Sequence, residues 1–385
     1  MIAAGILPVG ENSVIKYELI GMNKMKSFEE VFEDKTKYGT KIKTNEYQQE
    51  GKYLIVDQGQ EQVAGYTNLE EGVFEEVPAI VFGDHTRVIK YVEEPFFLGA
   101  DGVKVLKCRL PNANYKYLYY TLLNAKIPNT GYNRHFKWLK EIKIAYPNTE
   151  KQTEMVCILD KVSKIIEFRQ QQLKKLDELV KSRFIKLFGD IVLNPFGWEK
   201  DYLGVVCDVR DGTHDSPHYH STGFPLVTSK NVTGGEIDLT DCSLISKADF
   251  NKINERSKVD MGDIIMPMIG TVGKPVIVNV KPNFAIKNVS LIKFKDDSRV
   301  LNTFIRSLLQ SDYFDDAVLS KVRGGTQKFI SLGDIRKLVV IVPPMELQEQ
   351  FAAFVEQTDK SKFVIQQALD KAQLLFDSLM QKFFG

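Results

Sequence analysis

Cysteine is scarce in this chain. Cys108, Cys157, Cys207 and Cys242 stand far apart, with no CxxC pair among them. That excludes a disulfide-stapled secreted scaffold and a thiolate zinc site. It suits a reducing cytosol in which the thiols serve as small apolar side chains. Long hydrophobic runs are missing too, and nothing approaches the ~18 apolar residues of a membrane span. No charge sign dominates either: 51 Lys and Arg offset 50 Asp and Glu, for a formal charge of +1. A polyanionic partner would therefore need basic side chains gathered on one face. The opening MIAAGILPVG lacks basic residues ahead of its apolar stretch and lacks a cleavage site, so it is not read as a secretory signal. The expected compartment is the cytoplasm, away from any membrane, and 385 residues allow two or three domains.

Glycine and proline are absent from 148 to 188, which permits one unbroken helix. Apolar residues recur there in steps of three and four at Met155, Leu159, Val162, Ile166, Leu173, Leu176, Val180 and Leu187, interrupted by Arg169 and Arg183. The C-terminal stretch repeats the design, with a seam of Phe351, Val355, Thr358, Ile365, Leu369, Ala372, Phe376, Leu379 and Phe383. A shift of 196 positions superposes the two stretches without a gap. It matches Pro147 to Pro343, Gln152 to Gln348, Leu173 to Leu369, Ser182 to Ser378 and Phe188-Gly189 to Phe384-Gly385. This is the mark of an internal duplication. Ahead of each helix the copies correspond faintly, with Phe136, Leu139 and Ile142 set against Phe329, Leu332 and Ile335 and a three-residue insertion in the second copy.

Further upstream the halves diverge, although both are rich in strand-like segments: YLIVD, AIVFG, TRVIKYV and VKVLKC, then DIIMPMIG, PVIVNV and SLIKF. The expected class is α+β. Two β-rich mixed domains, 1–147 and 190–343, alternate with helices at 148–189 and 344–385. Each helix has a one-sided apolar stripe, so the two are expected to pair as an antiparallel coiled coil with pseudo-twofold symmetry. Different domains on a fixed spacer suggest two targets at a set distance, and duplicated flanks suggest a partner that docks twice.

Catalytic signatures fail one by one. In DGTHDSPHYH (211–220), His214 and His218 are four apart, but Pro217 argues for a loop and no further ligand completes a metal site. Asn194-Pro195-Phe196-Gly197 lacks the second proline of an adenine-methylation loop, and FLGADG (97–102) leads into a strand where a cofactor loop needs a helix. GTVGKP (270–275) has Pro275 where a phosphate loop requires Ser or Thr. What remains are polar loops suited to base edges and phosphates. In the first half these are His85, Thr86 and Arg87, then Tyr132, Asn133, Arg134, His135 and Lys137. In the second they are Thr213, His214, His218 and Tyr219, then Ser229, Lys230 and Asn231, then Thr271 and Lys274, and finally Arg323, Gln327 and Lys328. Solvated turns are the plain alternative for each loop.

The whole chain resembles the specificity subunit of type I restriction-modification systems. The resemblance rests on FGDIVLNPFGWEKDYLGVVCDVRDGTHDSPHY, PLVTSKNVTGGEIDL, INERSKVDMGDIIMPMIGTVGKPVIV and VFGDHTRVIKYVEEPFFLGADGVKVL, together with helices ending in Phe-Gly. It implies two target recognition domains that each read half of a bipartite, asymmetric site in double-stranded DNA. It implies two methylation subunits carrying S-adenosylmethionine, and up to two motor-nuclease subunits using ATP and Mg²⁺. The chain itself would hold no metal, cofactor or catalytic residue. DGTHDSPHYH then becomes a DNA-facing loop whose histidines act as hydrogen-bonding readers. The rivals are a coiled-coil scaffold without DNA specificity, which salt-sensitive DNA binding would exclude, and a self-contained methyltransferase, which a methylation assay on the isolated chain would decide.

Overall fold

The computed structural model describes residues 24–385 apart from 100, 234, 270–273 and 319–328. The first half contains strands β1 (Lys24–Ser27), β2 (Phe32–Asp34), β3 (Tyr53–Val56), β4 (Gly65–Thr67), β5 (Ala79–Gly83), β6 (Ile89–Val92), β7 (Phe96–Leu98), β8 (Val103–Cys108) and β9 (Lys143–Tyr146). Its helices are α1 (Phe28–Val31), α2 (Tyr115–Leu123), α3 (Phe136–Leu139) and α4 (Thr149–Phe188). The second half contains β10 (Glu199–Tyr202), β11 (Asp208–Asp211), β12 (Tyr219–His220), β13 (Phe224–Val227), β14 (Val232–Thr233), β15 (Glu236–Ile237), β16 (Ser243–Ile245), β17 (Ile264–Pro267), β18 (Val276–Ile277), β19 (Ala285–Ile286), β20 (Val289–Lys293) and β21 (Val339–Val342). Its helices are α5 (Leu203–Val206), α6 (Lys247–Ser257), α7 (Asn302–Leu309), α8 (Asp312–Ala317), α9 (Leu332–Arg336) and α10 (Met345–Phe384).

The two halves share one strand plan despite their divergent sequences. One sheet runs β2-β8-β5-β6 in the first half and β11-β20-β17-β18 in the second, with every pair antiparallel. In the other sheet, β3 has β4 antiparallel on one side and β7 parallel on the other; β13 likewise has β16 and β19. The second half adds β12 as an edge strand on β16. Each half also closes its first strand against its last, β1 on β9 and β10 on β21. The domains thus share a core strand plan, to which the second adds β12 and the β14–β15 pair.

The register before each spacer helix departs from the sequence expectation. Buried Leu139 corresponds to buried Ile335, and the bonds Leu139 N to His135 O and Ile335 N to Ser331 O are the same bond displaced by 196. β9 and β21 keep that offset. No three-residue insertion exists. Phe136 answers to Leu332 rather than Phe329, because helical contacts and burial fix the match here and aromatic identity does not.

The chain forms two compact units, one comprising the first β-rich domain through Phe168 together with Leu369–Gly385, the other Arg169–Ala368. Each unit thus takes about half of each spacer helix. In the first, Met155, Val156 and Leu159 of α4 share a core with Met380 of α10 and with Phe28, Phe82 and Leu118 of the domain. In the second, Phe184 and Phe188 of α4 pack on Phe351 and on Phe304 of α7, with ring centroids 4.8–5.5 Å apart. The start of one helix lies by the end of the other in each unit, so the segments run antiparallel. Lys362 on α10 bonds Asp177 on α4 at 2.6 Å, and the Arg183 guanidinium lies 5.6 Å from the Phe354 ring centroid. The expected seam residues are buried or half-buried throughout, and Phe184 and Phe188 extend the seam.

Helix ends follow the duplicated flanks. Asn148 caps α4 by accepting from Lys151 N at 3.0 Å. Gly189 N closes the far end on Ile185 O at 2.8 Å, and Gly385 N does the same on Gln381 O at 2.9 Å. Gly189 has φ +78°, and a Cβ there would lie 2.6 Å from Pro195 Cγ, so glycine is required. Among the described residues, no helix is long and apolar enough to cross a membrane.

Candidate nucleic-acid interface

In the first domain, side chains far apart in sequence are tied into one loop cluster. Gln58, in the loop after β3, is its hub. Its Nε2 donates to Asp101 O at 3.1 Å and its Oε1 accepts from His85 N at 3.2 Å, while its carbonyl accepts from the Thr86 hydroxyl at 2.6 Å. Behind that loop, Lys90 is buried and donates to Glu61 O at 2.5 Å, with Asp57 at 3.4 Å. Burial pulls the Lys90 pKa below the usual lysine value, and Asp57 and Glu61 oppose the shift. Lys41 reaches Asp101 at 2.8 Å, and that bond is the main reason the Asp101 carboxyl sits below the usual aspartate range.

The β5–β6 turn is joined to the segment before α3. His135 is fully buried. Its Nδ1 and its backbone N both donate to Asp84 O, at 2.9 and 2.8 Å, and Phe136 N donates to the Asp84 carboxylate at 2.7 Å. His135 therefore has no surface to offer DNA, and its role as a contact residue is corrected to that of an anchor. The anchor brings His85 and Tyr132 together with ring centroids 4.5 Å apart and planes 8° from parallel. Tyr132, Asn133, Arg134 and Lys137 are exposed, and Tyr132 is 85% exposed. Arg87 takes a left-handed φ of +64°, and its guanidinium donates to Ile127 O at 3.3 Å.

In the second domain the loops after β11 and β19 are tied together. Thr213 bridges Lys287, whose backbone N donates to Val227 O at 2.9 Å and whose Nζ donates to Ser216 Oγ at 2.5 Å. His214 Nε2 donates to Asp211 Oδ2 at 2.8 Å, and its Nδ1 faces Asn288 Oδ1 at 3.0 Å. Arg256 on α6 holds the other Asp211 oxygen. Both ring nitrogens of His214 are thus engaged within the protein, while the ring itself stays largely exposed. Gly212 makes the crossing possible, since a Cβ there would lie 2.4 Å from Ile286 O. His218, Tyr219 and His220 are exposed along the edge of the sheet.

Asn231 is also corrected. It is 6% exposed, and its amide is occupied by Thr228 at 3.0 Å and Asp241 O at 3.3 Å, so it shapes its turn from within. Ser229 is half-buried on that turn and Lys230 exposed. Lys274 is exposed, and Ile269 pairs with Phe329, which joins the flanks of the two remaining loops. Thr271, Arg323, Gln327 and Lys328 lie outside the described residues. Sequence reasoning missed Gln58, Lys41, Lys90, Asp101, Arg256 and Asn288. Matching β3 to β13 would have pointed to Gln58, which follows β3 as Ser229 follows β13.

The geometry defines a class: two copies of one recognition fold, each with a polar loop cluster and each followed by a helix of the same register. The sequence matches the type I restriction modification DNA specificity domain over residues 12–178 and 195–373, one match per half, and the chain belongs to that family. It is 25% identical over 274 residues to the specificity subunit of the type I restriction enzyme MjaIX of Methanocaldococcus jannaschii, an alignment covering 63% of this chain and 60% of that protein. It is 23% identical over 221 residues to the EcoBI specificity subunit of Escherichia coli, covering 55% and 46%. The chain thus spans about half to three fifths of the length of these curated relatives. In fold it is similar to the type I restriction-modification S subunit of M. genitalium, with a TM-score of 0.58 at 17% identity, covering 96% of this chain and 98% of that one.

Proposed function

We propose that the chain is a DNA-specificity subunit that selects a bipartite site for a type I restriction-modification complex. The observation that carries this is the pairing of one strand plan, used twice, with loop clusters built from different residues. A common scaffold with different loops suits two unlike half-sites. The first cluster would read one half-site and the second the other.

Two methylation subunits would dock along the helical segments and bring S-adenosylmethionine. Motor-nuclease subunits with ATP and Mg²⁺ would join through them. Exposed apolar side chains at corresponding positions favour such docking: Phe168 and Leu179 on α4, and Val364 and Leu375 on α10. The duplicated register would present equivalent surfaces twice. On this reading the chain contributes recognition and no catalytic group. The test is to combine it with the methylation subunit encoded beside it and map modified adenines by single-molecule sequencing. A two-part motif with a fixed gap supports the proposal. A stable complex that contains S-adenosylmethionine and methylates nothing sinks it.

A further inference from the structure

We propose that Tyr132 is an aromatic wedge that enters the stacked bases of the first half-site, with His85 as the residue that props it; the inference rests on the DNA-reading function proposed above. A tyrosine 85% exposed is unusual unless the ring has a task in the open. This ring is not loose. It lies flat on the His85 imidazole, 4.5 Å away and 8° from parallel, although the two residues belong to different loops.

The two loops are fixed to the domain and to each other. The His85 backbone is held by Gln58, its neighbour Thr86 bonds the Gln58 carbonyl, and the segment carrying Tyr132 is anchored three residues on by buried His135 on Asp84. Between them, Gly131 at φ +74° turns the chain, and Asn133 donates its amide to Thr130 O. His85 Nδ1 is shielded from solvent and has no hydrogen-bond partner among the described residues, and the ring stacks on Tyr132.

A ring backed in this way cannot fold aside when pressed, and ordering it costs little further entropy on binding. Its outer face is free for a base, and aromatic rings stack on any base. Arg134 and Lys137 nearby are exposed and can meet the flanking phosphates. A reader of base edges would act through the tyrosine hydroxyl; a wedge acts through the ring.

The experiment uses the complex of full-length chain and methylation subunit, with a duplex carrying its mapped motif and 2-aminopurine at each first-half position in turn. The wild type and Tyr132→Phe should bind alike and raise the fluorescence at one step, where the probe unstacks. Tyr132→Ala should lose that signal and bind roughly ten- to a hundredfold more weakly, as expected for one lost base-aromatic stack. His85→Ala should lose part of the signal and His85→Phe, which restores a flat support, should regain it. Equal losses in Tyr132→Phe and Tyr132→Ala, full binding by Tyr132→Ala, or no fluorescence change with the wild type would each overturn the wedge. Those failures leave the motif intact, whereas a wild-type complex with no motif takes down both proposals.

Discussion

Gln152 and Gln348 occupy the same position in the two copies, and both are fully buried at the start of a spacer helix. Each donates from Nε2 to the proline carbonyl five residues back, Pro147 O at 2.9 Å and Pro343 O at 2.8 Å. Gln348 makes two more bonds, to Arg299 O at 3.0 Å and from Leu301 N at 2.8 Å. Gln152 Oε1, in contrast, is buried without a hydrogen-bond partner among the described residues. Replacing each by leucine is therefore expected to give unequal results. At about 1 kcal/mol per bond, Gln348→Leu should cost about 3 kcal/mol, and more where the stranded Leu301 N–H stays dry. Gln152→Leu forfeits the bond to Pro147 O and a side-chain bond to Tyr146 but also removes a stranded oxygen, so its net cost should be smaller, about 1 kcal/mol. For a unit of this size, about 3 kcal/mol lowers Tm by roughly 6–12 °C. The two tryptophans, Trp138 and Trp198, fall in different units and report on them separately by fluorescence during thermal unfolding. Equal shifts in the two variants would refute the bond-by-bond reasoning.

Two further outcomes can be checked. Inserting one heptad in both helices, between Gln172 and Leu173 and between Ala368 and Leu369, is expected to lengthen the unread gap of the methylated motif by ~3 base pairs, since seven helical residues rise ~10 Å; an unchanged gap refutes the ruler. Burial works to raise the Asp34 pKa, but hydrogen bonds from Thr36 and Lys104 outweigh it and leave the pKa below the usual aspartate value. A depressed carboxyl adds stability that is present above its unfolded pKa and is lost as pH falls through its folded one, so wild-type stability should drop below about pH 4. Asp34→Asn should be less stable at neutral pH and show a flatter acid profile by urea titration; parallel profiles would count against this account.

The helices and their duplication were legible because they depend on local rules: no glycine or proline, a regular apolar step, and an offset that can be counted. Most core strands were legible too, YLIVD as β3 and VKVLKC as β8 among them. The shared topology was not. Strands such as Tyr219–His220 and Ala285–Ile286 are two residues long and exist only through partners distant in the chain. For the same reason, the loop residues could be nominated by type but not sorted. His135 and Asn231 look like polar readers in sequence, and only the partners Asp84, Thr228 and Asp241 reveal them as internal supports.

That sorting bears on engineering. Among the described residues, the candidate loops are pinned by residues elsewhere in their domain: Gln58 with Asp101 and His85 in the first, His214 with Asp211 and Asn288 in the second. A loop moved alone into another scaffold would arrive without its pin and lose its shape. The smallest transplantable part is therefore a discontinuous cassette, the loop together with its distant fastener, and libraries built to retarget such a domain should vary the exposed positions while holding those fasteners constant.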